Sequence, residues 1–104
     1  GARTEPEVEI LLPFNSFKSG SSGSAVITIT EINHGRDTGD TVRFRKVEAF
    51  DGFTATALES SSGFSITKVN DDSYTFTSGS GTATIGDTRG GGGFSSVGPV
   101  TVSA

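Results

Sequence analysis

The clearest signal along the chain is an alternation of apolar and polar positions that begins at Ala25. In Ala25-Val26-Ile27-Thr28-Ile29-Thr30-Glu31-Ile32, Ala25, Ile27 and Ile29 share one face while Val26, Thr28 and Thr30 share the other. That period of two is a strand's. Thr41 to Val47 alternates again and sets Val42 and Phe44 inward against Arg43 and Arg45 outward. Phe64 to Val69 and Ser73 to Thr77 flank Asn70-Asp71-Asp72 and predict a hairpin with a short loop. Thr82 to Ile85 is read as a further short strand, and Val97 to Val102 as the last. Phe53 to Leu58 fits either a strand or one helical turn.

Turn residues separate these segments. Asn33-His34-Gly35, Thr38-Gly39-Asp40 and Asp51-Gly52 supply positive φ or side chains that bond their own backbone. Short strands at intervals of about ten residues predict an all-β fold, a small antiparallel barrel or sandwich of five to seven strands. The expected core is Ile27, Ile29, Val42, Phe44, Phe64, Ile66, Tyr74, Phe76, Ile85 and Val100.

The first two dozen residues follow another pattern. Residues 1–13 mix charge with a short apolar burst, Ile10-Leu11-Leu12, and residues 18–24 are a Gly/Ser run with the composition of a flexible tether. The division predicted is therefore an extended N-terminal arm and tether over 1–24 and a β-domain over 25–104 that folds without them. An apolar arm on such a tether either crosses its own domain or docks on a neighbouring subunit. Docking is the expectation, with Ile10, Leu11 and Leu12 as the assembly arm.

Composition narrows the function classes. Of 104 residues, 15 are Gly, 15 Ser and 14 Thr, and there is no Cys, Met or Trp. Without Cys there is no disulfide scaffold, thiolate metal site or thioester chemistry. No apolar run reaches the roughly 18–20 residues of a membrane helix, so no membrane partner is expected. A net charge of −4, with Arg43, Arg45 and Lys46 as the one dense basic stretch, argues against nucleic acid.

Candidate chemistry is thin. His34 is the only histidine and finds no second His or Cys for zinc. Asp37-Thr38-Gly39-Asp40 lacks the spaced carboxylates of a calcium loop, and Asp71-Asp72 sits where a hairpin loop favours Asp. Arg89 with Gly90 to Gly93 lacks the Gly-Lys-Ser/Thr of a phosphate loop and reads as a glycine bulge or a crossover where another backbone comes close. Neither a catalytic set, a cofactor nor a metal is predicted. Gly35, Gly39, Asp40 and Gly52 are assigned to structural turns.

The succession His34-Gly35-Arg36-Asp37-Thr38-Gly39-Asp40-Thr41-Val42-Arg43-Phe44, Val47 to Gly52, Phe64 to Val69, Tyr74-Thr75-Phe76 and Arg89-Gly90-Gly91 resembles a known small β-barrel. It is the first catalytic cysteine half-domain of ubiquitin-activating enzymes, and above all the versions found in tailed-bacteriophage virion proteins. The resemblance covers about Val26 to Val102. It implies a non-enzymatic structural part of a phage virion, in or near the tail, with other virion subunits and copies of itself as partners. The alternative expectation is a carbohydrate- or receptor-binding module of a fibre or adhesin, with Phe14, Phe17, Phe50, Phe53 or Phe94 stacking on sugar.

Overall fold

A computed structural model describes residues 3–4 and 9–103. The described residues form three antiparallel sheets and one helical turn. The largest sheet has the order β10-β3-β4-β9-β8, built from Arg89–Gly90, Phe17–Ser19, Val26–Thr30, Ser73–Thr77 and Thr67–Asn70. The second runs β1-β12-β5-β7, from Arg3–Thr4, Thr101–Val102, Thr41–Val42 and Phe64–Ser65. The third runs β2-β11-β6, from Ile10–Leu11, Ser96–Val97 and Phe44–Arg45. The helical turn α1 is Ala55–Leu58, capped by Thr54, whose Oγ1 accepts from the Ala57 N–H at 3.1 Å.

The all-β expectation holds, with more and shorter strands than five to seven. Two of the predicted strands are each divided between sheets. Thr41–Val42 lies in the second sheet and Phe44–Arg45 in the third. Ser96–Val97 and Thr101–Val102 divide the same way around a cis Gly98-Pro99 bond, where Pro99 has no N–H to give a ladder. Both changes of sheet occur at one level and are tied together. The Gly98 N–H donates to the Arg43 carbonyl at 2.8 Å, and the Arg43 guanidinium donates to Ser61 O and Thr101 Oγ1.

The longest ladder pairs Val26–Thr30 with Ser73–Thr77, setting Ile27 opposite Phe76 and Ile29 opposite Tyr74. The predicted hairpin forms around residues 70–73, with a register shift between Lys68 and Asn70. Every expected core residue is buried except Ile85, which is 76% exposed. Residues 82–85 form no strand. Their N–H groups go elsewhere: Ala83 donates to Ser24 O, Thr84 to Asp51 O, and Ile85 to the Asp51 carboxylate.

The N-terminal region also departs from expectation. Phe17–Ser19 is no tether; it lies inside the five-stranded sheet, between β10 and β4, with Phe17 and Ser19 buried. Residues 20–24 are the turn that returns the chain into β4. The Gly/Ser composition concealed this because only Phe17 marks the strand as apolar. Upstream, Ile10 and Leu11 pair with Val97 and Ser96, and Leu12 is a core residue at 3% exposure. The arm crosses its own domain, and Leu12 is not available to a neighbour. Residues 5–8 of the predicted arm lie outside the described residues.

Four phenylalanines join the sheets. Phe17 and Phe76 come from the five-stranded sheet, Phe44 from the three-stranded one and Phe64 from the four-stranded one. Ring centroids are 4.9 Å apart for Phe17–Phe44, 5.2 Å for Phe44–Phe76 and 4.4 Å for Phe64–Phe76. The glycine run lies beside this cluster. Gly91 has φ +99°, and a Cβ there would stand 2.5 Å from the Phe17 ring. The sequence predicts a bulge or another backbone passing close to these glycines; what approaches Gly90 and Gly91 is instead an aromatic side chain, Phe50 and Phe17.

Gly91→Ala is expected to lose about 2–4 kcal/mol in urea unfolding, since it adds positive-φ strain to a ring clash. Gly79→Ala, with open space around the new methyl, should stay within about 0.5 kcal/mol of wild type. Deleting residues 1–24 removes Phe17 and a strand inside the sheet, so the remainder should show no cooperative thermal transition.

Candidate functional site

Two regions gather the side chains capable of chemistry or recognition. The first is the corner between β4 and β5. Glu31 and Arg36 are both buried, and their ion pair is bidentate, with Arg36 Nε 3.0 Å from Glu31 Oε1 and Nη2 2.8 Å from Oε2. The Tyr74 hydroxyl donates to the same Oε1 at 2.8 Å. Burial opposes the charge on Arg36, but the hydrogen bonds and charge of Glu31 outweigh it and raise its pKa. Burial, together with the Glu31 carboxylate, pushes the Tyr74 phenol far above its usual range. The three groups form a closed polar network.

His34 packs edge-on to Tyr74 with ring centroids 5.1 Å apart. Its Nδ1 accepts from the Arg36 N–H at 2.8 Å, while Nε2 lies 2.7 Å from Asn70 O and 3.2 Å from Ser73 O. A backbone N–H only donates and a carbonyl only accepts, so the proton sits on Nε2. Both ring nitrogens are engaged by backbone, and the imidazole tacks the corner to the β8–β9 hairpin. The hairpin answers with Asp72, whose carboxylate accepts from the Asn33 N–H and whose carbonyl accepts from the Glu31 N–H.

Asp40 closes the other side. Its Oδ2 accepts from the Asp37 N–H, and its Oδ1 from both the N–H and hydroxyl of Ser103, at 2.9–3.0 Å. Burial works against the carboxylate, but these bonds and the Arg36 charge prevail and hold its pKa below the usual value. Gly35 and Gly39 both have positive φ, as turns at those positions require. Asp51-Gly52 is a second corner. The Asp51 carboxylate accepts from Ser19 Oγ and from the Ile85 and Gly86 N–H groups, which lowers its pKa. At Gly52, with φ +89°, a Cβ would stand 2.7 Å from the Thr82 carbonyl. The turn assignments of Gly35, Gly39, Asp40 and Gly52 thus describe two corners, and the second reaches back to Ser19 in β3.

The basic stretch does not form a common face. Arg43 bridges to residues 61 and 101, Arg45 pairs with Glu9 at 3.8 Å, and Lys46 is exposed in the left-handed region at φ +58°. A hollow of about 480 Å³ beside α1 has Glu59 as its one titratable lining residue. A neighbouring hollow of about 330 Å³ adds Arg43 and Arg45, both already bonded within the chain. No group of three or more His, Cys, Asp or Glu is placed to hold a metal ion among the described residues.

The second region is apolar and exposed. Leu11 is 68% exposed, Phe14 76% and Phe94 75%. Of the five phenylalanines considered for sugar stacking, Phe17 and Phe53 are in the core and Phe50 is half-buried against it. Phe14 and Phe94 alone present their rings to solvent. Among the described residues no helix is long and apolar enough to cross a membrane.

No family model matches the sequence, and no curated protein matches it. Among solved structures the chain is similar to the phage phi92 endosialidase. The TM-score is 0.57 at 23% identity, over 95% of this chain. The chain spans 12% of that protein's length. At this identity the likeness is one of fold. It falls on the phage side of the resemblance drawn from the sequence; the ubiquitin-activating half-domain gains no support from it.

Arg36→Met leaves Glu31 charged and buried without its partner, and should lose about 3–5 kcal/mol in urea unfolding. Glu31→Gln/Arg36→Met removes both charges of the pair, and should recover much of that loss. For Asp40 the folded pKa is depressed. Its contribution is therefore complete above the unfolded carboxylate pKa of about 3.9, and is lost as pH falls through the folded value. Wild-type stability should drop as pH falls below about 4, and Asp40→Asn should flatten that limb while lowering stability at pH 7.

Proposed function

We propose that this chain is a non-enzymatic structural module of a tailed-phage virion, in or associated with the tail, that works through contacts between protein subunits. The observation that carries this reading is the match of nearly the whole chain to a small part of a phage enzyme. A fold that recurs as 12% of a larger chain is a portable unit, and portable units belong to many activities. The reading is supported by how the polar side chains are used. His34, Asp40, Asp51, Glu31 and Arg36 are each committed to holding turns and strands together. The expected partners are other virion subunits and further copies of the chain, with no cofactor, metal, nucleic acid or membrane.

A carbohydrate- or receptor-binding role rests on Phe14 and Phe94 alone. Among the polar groups of the Phe94 cleft, the Ser96 hydroxyl donates to Glu9 at 2.8 Å and Glu9 pairs with Arg45 at 3.8 Å. That leaves Lys46 as the uncommitted polar side chain of the cleft, and a lone cation does not fix the orientation of a sugar.

Immunogold labelling of purified particles, with antibody raised against this chain, should decorate the tail. Particles that carry no label, together with chain found free in the infected-cell supernatant, would overturn the assignment.

A further inference from the structure

We propose that the strip Leu11–Phe94–Phe14 is a self-association surface that takes a second copy of this chain about a twofold axis. The proposal rests on the subunit-contact reading above and names the surface and the partner. Leu11 and Phe94 line one cleft of about 160 Å³, with Glu9, Lys46 and Ser96. The Phe14 ring lies over Gly93, the residue before Phe94, 3.4 Å from where a Cβ would be, which sets it beside that cleft.

The strip is held in place before any partner arrives. Leu11 is in β2, paired with Ser96. The turn carrying Phe14 is laced to the glycine run by Asn15 N–H to Gly92 O and Gly92 N–H to Asn15 Oδ1, both 3.0 Å. Exposed apolar groups on an ordered backbone lose little freedom on binding.

Charge selects the occupant and its orientation. At the Leu11 end the cleft carries Lys46 and also Glu9, whose carboxylate is offset by its pair with Arg45 at 3.8 Å, so this end is cationic in sum. Glu48 lies against Gly92, at the Phe14 end. Lys46 and Glu48 are both exposed, and neither side chain has a hydrogen bond or ion pair with a described residue. An apolar strip with a cation at one end and an anion at the other is complementary to itself under twofold rotation. Lys46 then faces Glu48 of the partner subunit, at both ends of the contact. The opposite orientation sets like charges together. So small a strip gives a weak contact, which becomes effective where many copies are held close.

The test is sedimentation equilibrium of the whole chain across concentration, with thermal unfolding of each variant as the check on folding. Wild type should show a monomer–dimer equilibrium. Phe94→Ser should weaken it about a hundredfold. Lys46→Glu and Glu48→Lys should each weaken it about three- to tenfold. The double variant Lys46→Glu/Glu48→Lys should return to near the wild-type constant, because the exchange recreates both pairs in reverse. Three results would overturn the proposal: a wild type that stays monomeric to about 1 mM, a dimer indifferent to Phe94→Ser, or a double variant as weak as the combined singles. A monomeric wild type with Phe94-dependent glycan-array binding would assign the strip to sugar instead. A monomer found in virion tails removes this surface and leaves the structural role standing; a dimer absent from particles does the reverse.

Discussion

The contact between Phe17, Phe44, Phe64 and Phe76 is the one on which the three sheets depend. Most strands here are two residues long, and two-residue ladders contribute few hydrogen bonds and little cooperativity. No single sheet is a sufficient unit. The four rings come from all three sheets and bury large apolar surfaces at one point, so each sheet is stable only when the others are in place. The glycines at 90 and 91 follow from that arrangement. A chain that passes this close to Phe17 and Phe50 has no room for side chains of its own.

The polar chemistry obeys a similar economy. A small domain that spends 44 of its 104 positions on Gly, Ser and Thr has few long apolar side chains with which to fix its turns. It fixes them with side-chain hydrogen bonds to backbone: charge-assisted ones from Asp40 to residues 37 and 103 and from Asp51 to residues 85 and 86, and neutral ones from His34 to the far hairpin. Apart from the local Asp37–Asp40 bond, these join segments distant in sequence, which turns each corner into a cross-link. The same commitment leaves those groups poorly placed for a reacting molecule.

What was legible in the sequence follows the range of the forces involved. The β4–β9 pair and the hairpin after it rest on strict alternation, a local property, and their faces are as expected. The positive-φ glycines at the two corners were equally local. Residues 17–19 were missed because a strand flanked by Ser and Gly carries one apolar signal, Phe17, and its place in the sheet is decided by partners ten and seventy residues away. Ile85 misled in the opposite sense. It ends an apparently alternating run, yet the Asp51 carboxylate captures its N–H and turns the side chain outward. Leu11 and Phe94 were legible only as separate residues, since the β2–β11 pairing of segments some eighty residues apart brings them to one cleft.

The shared level at which two strands leave one sheet and join another has a mechanical meaning. Between Val42 and Phe44, and again between Val97 and Thr101, the four-stranded and three-stranded sheets are continuous through covalent backbone. The Gly98 to Arg43 bond staples the two crossings side by side. A pull on the terminal strand therefore loads both sheets in shear, through peptide bonds as well as packed side chains. The sheets cannot slide past one another without first breaking that staple.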